Sequence, residues 1–332
     1  MQKVSVIIPV FNAEKYVLNC VDSLLNQSLK EMEFVFVDDC SSDNSIEVIK
    51  NYIKGNGREE NFIFLKTEKN SGPGVARNVG ILESSGRYIA FMDCDDTVEA
   101  TMYEELYKEA EESFADICNC NAKYIKNNKV VKYLNTDNFN RCKLTKDKKS
   151  ELLQNFTTYI CSYLYKREFI IKNNIFFPDG KSSEDSNFLA KVLVLANTIS
   201  HVNKPFYNYL MQDNSLTTTC NPFRYKMKIN SFNKLVDELE ERGLLNEYYS
   251  ELEYIYIKKC YLISCIDYLQ NTFNPDYLVI KSIRESIVSK FPNYSRNIFF
   301  KKNKKAFFLE KVLKSKFITV NILTLFIKPK KV

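Results

Sequence analysis

Three carboxylates close the stretch Tyr88-Ile89-Ala90-Phe91-Met92-Asp93-Cys94-Asp95-Asp96. Like charges this close repel unless a cation lies between them, and oxygen-only ligation suits Mg²⁺ or Mn²⁺. Such ions, held by one or two carboxylates, share their remaining positions with substrate phosphates. Asp93 and Asp95 are thus candidate metal ligands, and the chemistry they suit is work on a metal-bound diphosphate. Taken alone, the same acids also read as a solvated turn. The apolar run before them, bounded by Gly86, suits a strand buried in a parallel sheet. Open α/β sheets bind their ligands beyond the C-terminal ends of such strands.

A second acid cluster, Asp38-Asp39-Cys40-Ser41-Ser42-Asp43, follows the short run Phe34-Val35-Phe36-Val37. A carboxylate there can accept a hydrogen bond from a base N–H or a ribose hydroxyl. Asp43 reads as a helix cap, whereas Asp39 has no evident local structural duty. Asn70-Ser71-Gly72-Pro73-Gly74-Val75-Ala76-Arg77-Asn78-Val79-Gly80 is a glycine-bearing loop entering a helix. Its glycines permit close backbone approach, and Arg77 can reach a phosphate. It lacks the Gly-Lys-Ser/Thr of a triphosphatase phosphate loop and does not match the dinucleotide fingerprint. The third acidic site is Ser183-Glu184-Asp185, ahead of a helical pattern, which also reads as a cap with acids favoured by the helix dipole.

The elements that must position these residues alternate through the first third. Strands are expected at 4–10, 34–37, 62–66 and 88–92. Between them lie helices over 13–26, capped by Asn12, over 43–53, closed by Gly55-Asn56-Gly57, and over 74–84. This strand–helix alternation predicts a doubly wound, mainly parallel sheet. Beyond residue 99 a helix over 102–114 and strands at 116–125, 130–134, 159–165 and 201–210 are expected, with residues 135–150 a polar loop. From about residue 222 the pattern is helical. Two domains follow, 1–220 and 221–332.

The chain has 332 residues and 45% hydrophobic content, enough for a large core. Met1-Gln2-Lys3 leads straight into the first strand, and the ten cysteines show no zinc spacing, which suits reduced thiols and a cytoplasmic location. His201, the one histidine, reads as structural. Net charge is +6, but residues 301–332 alone carry ten lysines against one acid, leaving the rest at −3. The same tail contains Phe317-Ile318-Thr319-Val320-Asn321-Ile322-Leu323-Thr324-Leu325-Phe326-Ile327, at 11 residues too short to span a bilayer. Lysine interleaved with large apolar side chains favours an anionic membrane surface over nucleic acid. The tail also reads as the last packed helix of the domain.

Taken in order, these segments resemble glycosyltransferase family 2, inverting and metal-dependent enzymes of the GT-A fold. The resemblance rests on Val4 through Asn12, Val37 through Asp43, Asn70 through Gly80, Gly86-Arg87-Tyr88-Ile89 and Asp93 through Asp96, and spans roughly the first 210 residues. It implies that Pro9, Phe11 and Asp39 hold a nucleotide base and ribose. Asn70, Arg77 and Asp93 would lie along the ribose-diphosphate, and Asp95 would ligate the metal. Asp179 through Phe188 resembles the family's Glu-Asp motif, so Asp185 is the expected base and Glu184 its acceptor-facing partner. The implied activity is transfer of one sugar from a nucleotide sugar, most simply a UDP-sugar, to a saccharide or lipid-linked saccharide acceptor in bacterial surface-polysaccharide assembly. The enzyme would act at the inner face of the membrane and could form homo-oligomers. The chain has no tryptophan and hence no Gln-x-x-Arg-Trp motif, which argues against a processive synthase. Two alternatives are a sugar-1-phosphate nucleotidyltransferase, against which the first strand's ending Pro9-Val10-Phe11-Asn12 counts, and a non-catalytic nucleotide-sugar-binding module.

Overall fold

The computed structural model describes residues 2–135, 141–155, 159–180, 182–211, 223–316 and 319. In chain order the first part runs β1 Val4–Val10, α1 Val17–Leu25, β2 Met32–Asp38, α2 Ser45–Ile53, β3 Phe62–Lys66, α3 Pro73–Glu83 and β4 Tyr88–Phe91. It continues with β5 Thr97–Val98, α4 Met102–Ser113, β6 Ile117–Lys126, β7 Lys129–Leu134, β8 Cys142–Lys143, α5 Lys146–Asn155, β9 Tyr163–Lys166, α6 Arg167–Lys172, α7 Glu184–Leu195 and β10 Thr198–Leu210. The strands form one sheet in the order β3-β2-β1-β4-β9-β6-β10-β5, with β7 on β6 and β8 on β10.

β3, β2, β1 and β4 pair in parallel. Every residue of β1, β2 and β4 is buried, as continuous apolar runs require when helices cover both faces. Beyond β4 the sheet is mixed. β9 lies antiparallel between β4 and β6, with Ala90 opposite Leu164 and Cys118 opposite Leu164 across its other edge, while β10 runs parallel to β6. The expected α/β sheet followed by a helical region is therefore present, with its parallel character concentrated in the first four strands of that order. Close approach of α3 to β1 needs Gly80: a Cβ there would stand 2.4 Å from Ile7 Cγ2.

Three local expectations are corrected. Residues 135–150 are not one loop, since β8 and the first half of α5 fall there. α5 is lysine-rich and buries only Leu152 and Leu153, too few to show a periodic stripe. Asn12 does not cap α1. It lies at φ 51°, and its Oδ1 accepts from the Ser42 N–H at 2.8 Å, tying the β1–α1 loop to the loop after β2. Asp39 does have a structural duty, described below. Among the described residues all nine cysteines are free.

The chain divides into two compact units, Met1–Lys149 with Thr157–Asp213, and Ser150–Phe156 with Asn214–Val332. The second contains α8 Arg224–Glu241, α9 Tyr249–Tyr256, α10 Ser264–Gln270, α11 Tyr277–Lys290, α12 Ile298–Lys302 and α13 Lys304–Lys314. A π-helical stretch, Ile257–Ile263, makes α9 and α10 continuous. Asn297 and Asn303 cap α12 and α13 by accepting from backbone N–H groups. The apolar stretch 317–327 lies outside the described residues apart from Thr319. No described helix is long and apolar enough to cross a membrane.

Candidate active site

The turn after β4 is fixed by Asp96. Its carboxylate accepts from the Tyr207 hydroxyl and from the Leu210 N–H, both at 2.8 Å, and the same hydroxyl accepts from the Asp93 N–H at 3.2 Å. Asp96 is 1% exposed and committed to β10, so Asp93, which pairs with Arg77, and Asp95 are the remaining acids of the cluster. Burial, and then the neighbouring charge of Asp93, push the Asp95 carboxyl up to about 6. Burial disfavours the charged carboxylate, and the nearby Asp93 adds like-charge repulsion.

Arg77 ties the site together. α3 starts at Pro73 behind Gly72, whose φ of 93° suits glycine, and one turn on it buries the Arg77 guanidinium to 2% exposure. Nη2 lies 2.7 Å from Asp93 Oδ1, Nη1 lies 2.9 Å from Asp185 Oδ1, and Glu184 Oε1 is 3.8 Å away. The end of β4 and the start of α7 are thus joined through one planar fork, a geometry lysine could not reproduce. Burial opposes the charge on Arg77, but Asp185 and Asp93 outweigh it and raise its pKa. Asp185 keeps 32% side-chain exposure. Burial raises its carboxyl and Arg77 pulls it back, with the balance at about 7. Glu184 is also raised, mainly by burial.

Asp39 is buried and holds the loop before α3. Its Oδ1 accepts from Thr67 Oγ1 at 2.8 Å and the Ser71 N–H at 3.0 Å, and its Oδ2 from the Gly72 N–H at 2.7 Å. Asn70, half-buried, belongs to this same tethered loop. Pro9 is buried within β1 opposite Val37, whereas Phe11, just past the strand, is 44% exposed. His201 is buried, with Nδ1 2.9 Å from Asn119 Oδ1 on the neighbouring strand, and burial lowers its pKa. Its place is structural.

Residues that sequence reasoning passed over support this arrangement. The Asn78 side chain donates to the Phe177 carbonyl at 2.9 Å and accepts from the Phe177 N–H at 2.8 Å. Phe177 stacks on Phe188 of α7 at 4.1 Å, and the Arg77 guanidinium lies 5.4 Å from its ring centroid. Lys191, buried on α7, donates to the Phe176 carbonyl at 2.6 Å. Only the adjacency of Asn78 to Arg77 hinted at this in the sequence. Among the described residues no three acid, histidine or cysteine side chains form a metal cage.

The model of the family described as Glycosyl transferase family 2 matches residues 5–173, half of the chain. The chain belongs to glycosyl transferase family 2. It is 34% identical to the Bacillus subtilis glycosyltransferase EpsJ over 64% of this chain and 62% of that protein, so the match spans less than two thirds of this relative's length. It is 30% identical to the cholesterol galactosyltransferase of Borreliella burgdorferi over 86% of this chain and 82% of that one. Among solved structures, residues 1–349 of S. aureus TarS in complex with UDP-GlcNAc align with a TM-score of 0.60 at 22% identity, covering 89% of this chain and 91% of that chain. That likeness places this family 2 chain in the same fold.

Proposed function

We propose that this family 2 enzyme is an inverting glycosyltransferase that moves one sugar from a nucleotide sugar, a UDP-sugar, to a lipid-linked saccharide acceptor in surface-polysaccharide assembly. The observation that carries this reading is the Arg77 fork, which spans the 2.7 Å contact to Asp93 and the 2.9 Å contact to Asp185. It brings the acid end of the donor strand and a proton acceptor into one site. Phe11, Pro9 and Asp39 would frame the base and ribose, Asp39 by shaping the loop at Asn70 as well as by direct contact. Asn70, Arg77 and Asp93 would line the diphosphate. The Asp185 carboxylate would take the proton of the acceptor hydroxyl while that oxygen attacks the anomeric carbon from the face opposite the departing nucleoside diphosphate, inverting the configuration. Glu184 would orient the acceptor.

Two neighbouring carboxylates at the end of β4 fit a divalent cation that completes its shell on phosphate oxygens. Asp93 and Asp95 would hold Mn²⁺ or Mg²⁺, which when bound neutralises charge developing on the leaving diphosphate. Support for a UDP-sugar comes from the TarS complex, and support for a lipid acceptor from the relative named for cholesterol. A membrane-borne acceptor would bring the protein to the cytoplasmic face of a bilayer. A thermal-shift panel of UDP-, GDP- and other nucleotide sugars with and without Mn²⁺ tests the reading. Metal-dependent stabilisation by a UDP-sugar is expected, and a flat response across the panel overturns it.

A further inference from the structure

α13 has two unlike faces. Its inner face packs through Leu313, which is 1% exposed, and through Glu310, whose carboxylate accepts from the Tyr294 hydroxyl at 2.7 Å and pairs with Lys314 at 2.5 Å. The Tyr277 hydroxyl donates to the Lys314 carbonyl at 2.7 Å and pins the helix end. On the outer face Lys304, Phe308 and Lys311 fall at i, i+4 and i+7, one above another. Phe308 is 69% exposed, and Ile298 at the start of α12 is 56% exposed. Lys301 and Lys302 of α12 and Lys305 of α13 are also exposed. Glu310 is the one acid in residues 301–316, and it is buried and paired with Lys314, so no exposed acid of this stretch stands among its lysines.

We infer that the outer face of α12 and α13 docks on an anionic lipid bilayer, with Phe308 entering the headgroup boundary and the lysines facing lipid phosphates. The inference rests on the membrane-borne acceptor proposed above and names the surface that meets the membrane. A merely solvated face would carry lysines without a bare phenylalanine at their centre. An exposed aromatic ring between lysines one turn before and after it suits an interfacial helix, and each lysine near such a surface tightens binding roughly fivefold. A polynucleotide site would want arginine forks and a groove tracking the phosphates, and residues 301–316 contain no arginine.

The test is co-sedimentation of the full chain with vesicles of phosphatidylglycerol mixed with phosphatidylcholine, against phosphatidylcholine alone. Salt-sensitive binding to the anionic vesicles is expected, weakened at least about tenfold in Lys304→Glu/Lys305→Glu/Lys311→Glu and weakened again in Phe308→Ser. These side chains are exposed, so thermal unfolding should match the parent, and hydrolysis of a nucleotide sugar in solution should be unchanged. Equal binding to neutral vesicles, undiminished binding by the triple variant, or binding to duplex DNA but to no vesicle would each overturn the inference. Vesicle binding by a protein that turns over no nucleotide sugar would sink the proposed function and leave this surface standing.

Discussion

Asp185 and Arg77 are 108 residues apart in the chain and 2.9 Å apart in the fold. A proton acceptor works best with a pKa close to the operating pH, and burial against Arg77 leaves Asp185 at about 7. In the proposed role the working form is the carboxylate, so transfer should rise with pH through about 7 and fade below it; a rate flat between pH 5 and 9 would remove Asp185 from that role. Asp185→Asn should lower transfer by roughly 10²- to 10⁴-fold while a nucleotide sugar still raises the melting temperature. Because Arg77 pulls the Asp185 carboxyl down, Arg77→Gln should move any residual pH rise upward, which a pH–rate profile would reveal.

At the scale of elements, the Asn78–Phe177 pair locks α3 to the segment leading into α7. Asn78→Ala leaves the Phe177 N–H and carbonyl without their partner, at a cost of about 1–3 kcal/mol each if they stay dry. We expect transfer to fall more than donor hydrolysis, since water needs no positioned acceptor. Equal losses in both would mean that Asn78 only supports the fold. Gly80→Ala should lower the urea midpoint by an amount worth about 1–3 kcal/mol, the usual cost of overpacking a tight core contact. The parallel strands β1, β2 and β4 were legible because burial on both faces leaves an unbroken apolar run. The direction of β9 was not, because Tyr163-Leu164-Tyr165 says nothing about which neighbour it joins. α5 hid behind lysines. The partners of Asp39 and Asn12, namely Ser71, Gly72 and Ser42, lie about 30 residues further on, beyond the reach of a local reading. The acids and Arg77 were visible by type, but not the fork that joins them, since a contact over 108 residues leaves no local trace.

For the molecule as a whole, the metal site and the donor should be mutually dependent. Among the described residues no three acid, histidine or cysteine side chains form a cage, so a divalent ion held as proposed by Asp93 and Asp95 would bind weakly without the donor. EDTA should therefore leave the melting temperature of the free protein nearly unchanged and abolish the stabilisation given by a nucleotide sugar. A large drop on chelation of the free protein would point to a different, structural metal. The two units impose a separate expectation: because α13 buries Leu313 and the Tyr294–Glu310 bond, cutting the chain at residue 300 should destabilise the second unit.

The insertion of β9 between β4 and β6 has a consequence for synthesis. Until residues 163–166 leave the ribosome, β4 has a neighbour on one side only, and its other flank offers unpaired backbone groups to any passing strand. Half of the sheet must wait, open, for a segment made some seventy residues later. Nascent chains stalled before that point should be the aggregation-prone species and the preferred clients of chaperones, and release of the β9 segment should end that vulnerability.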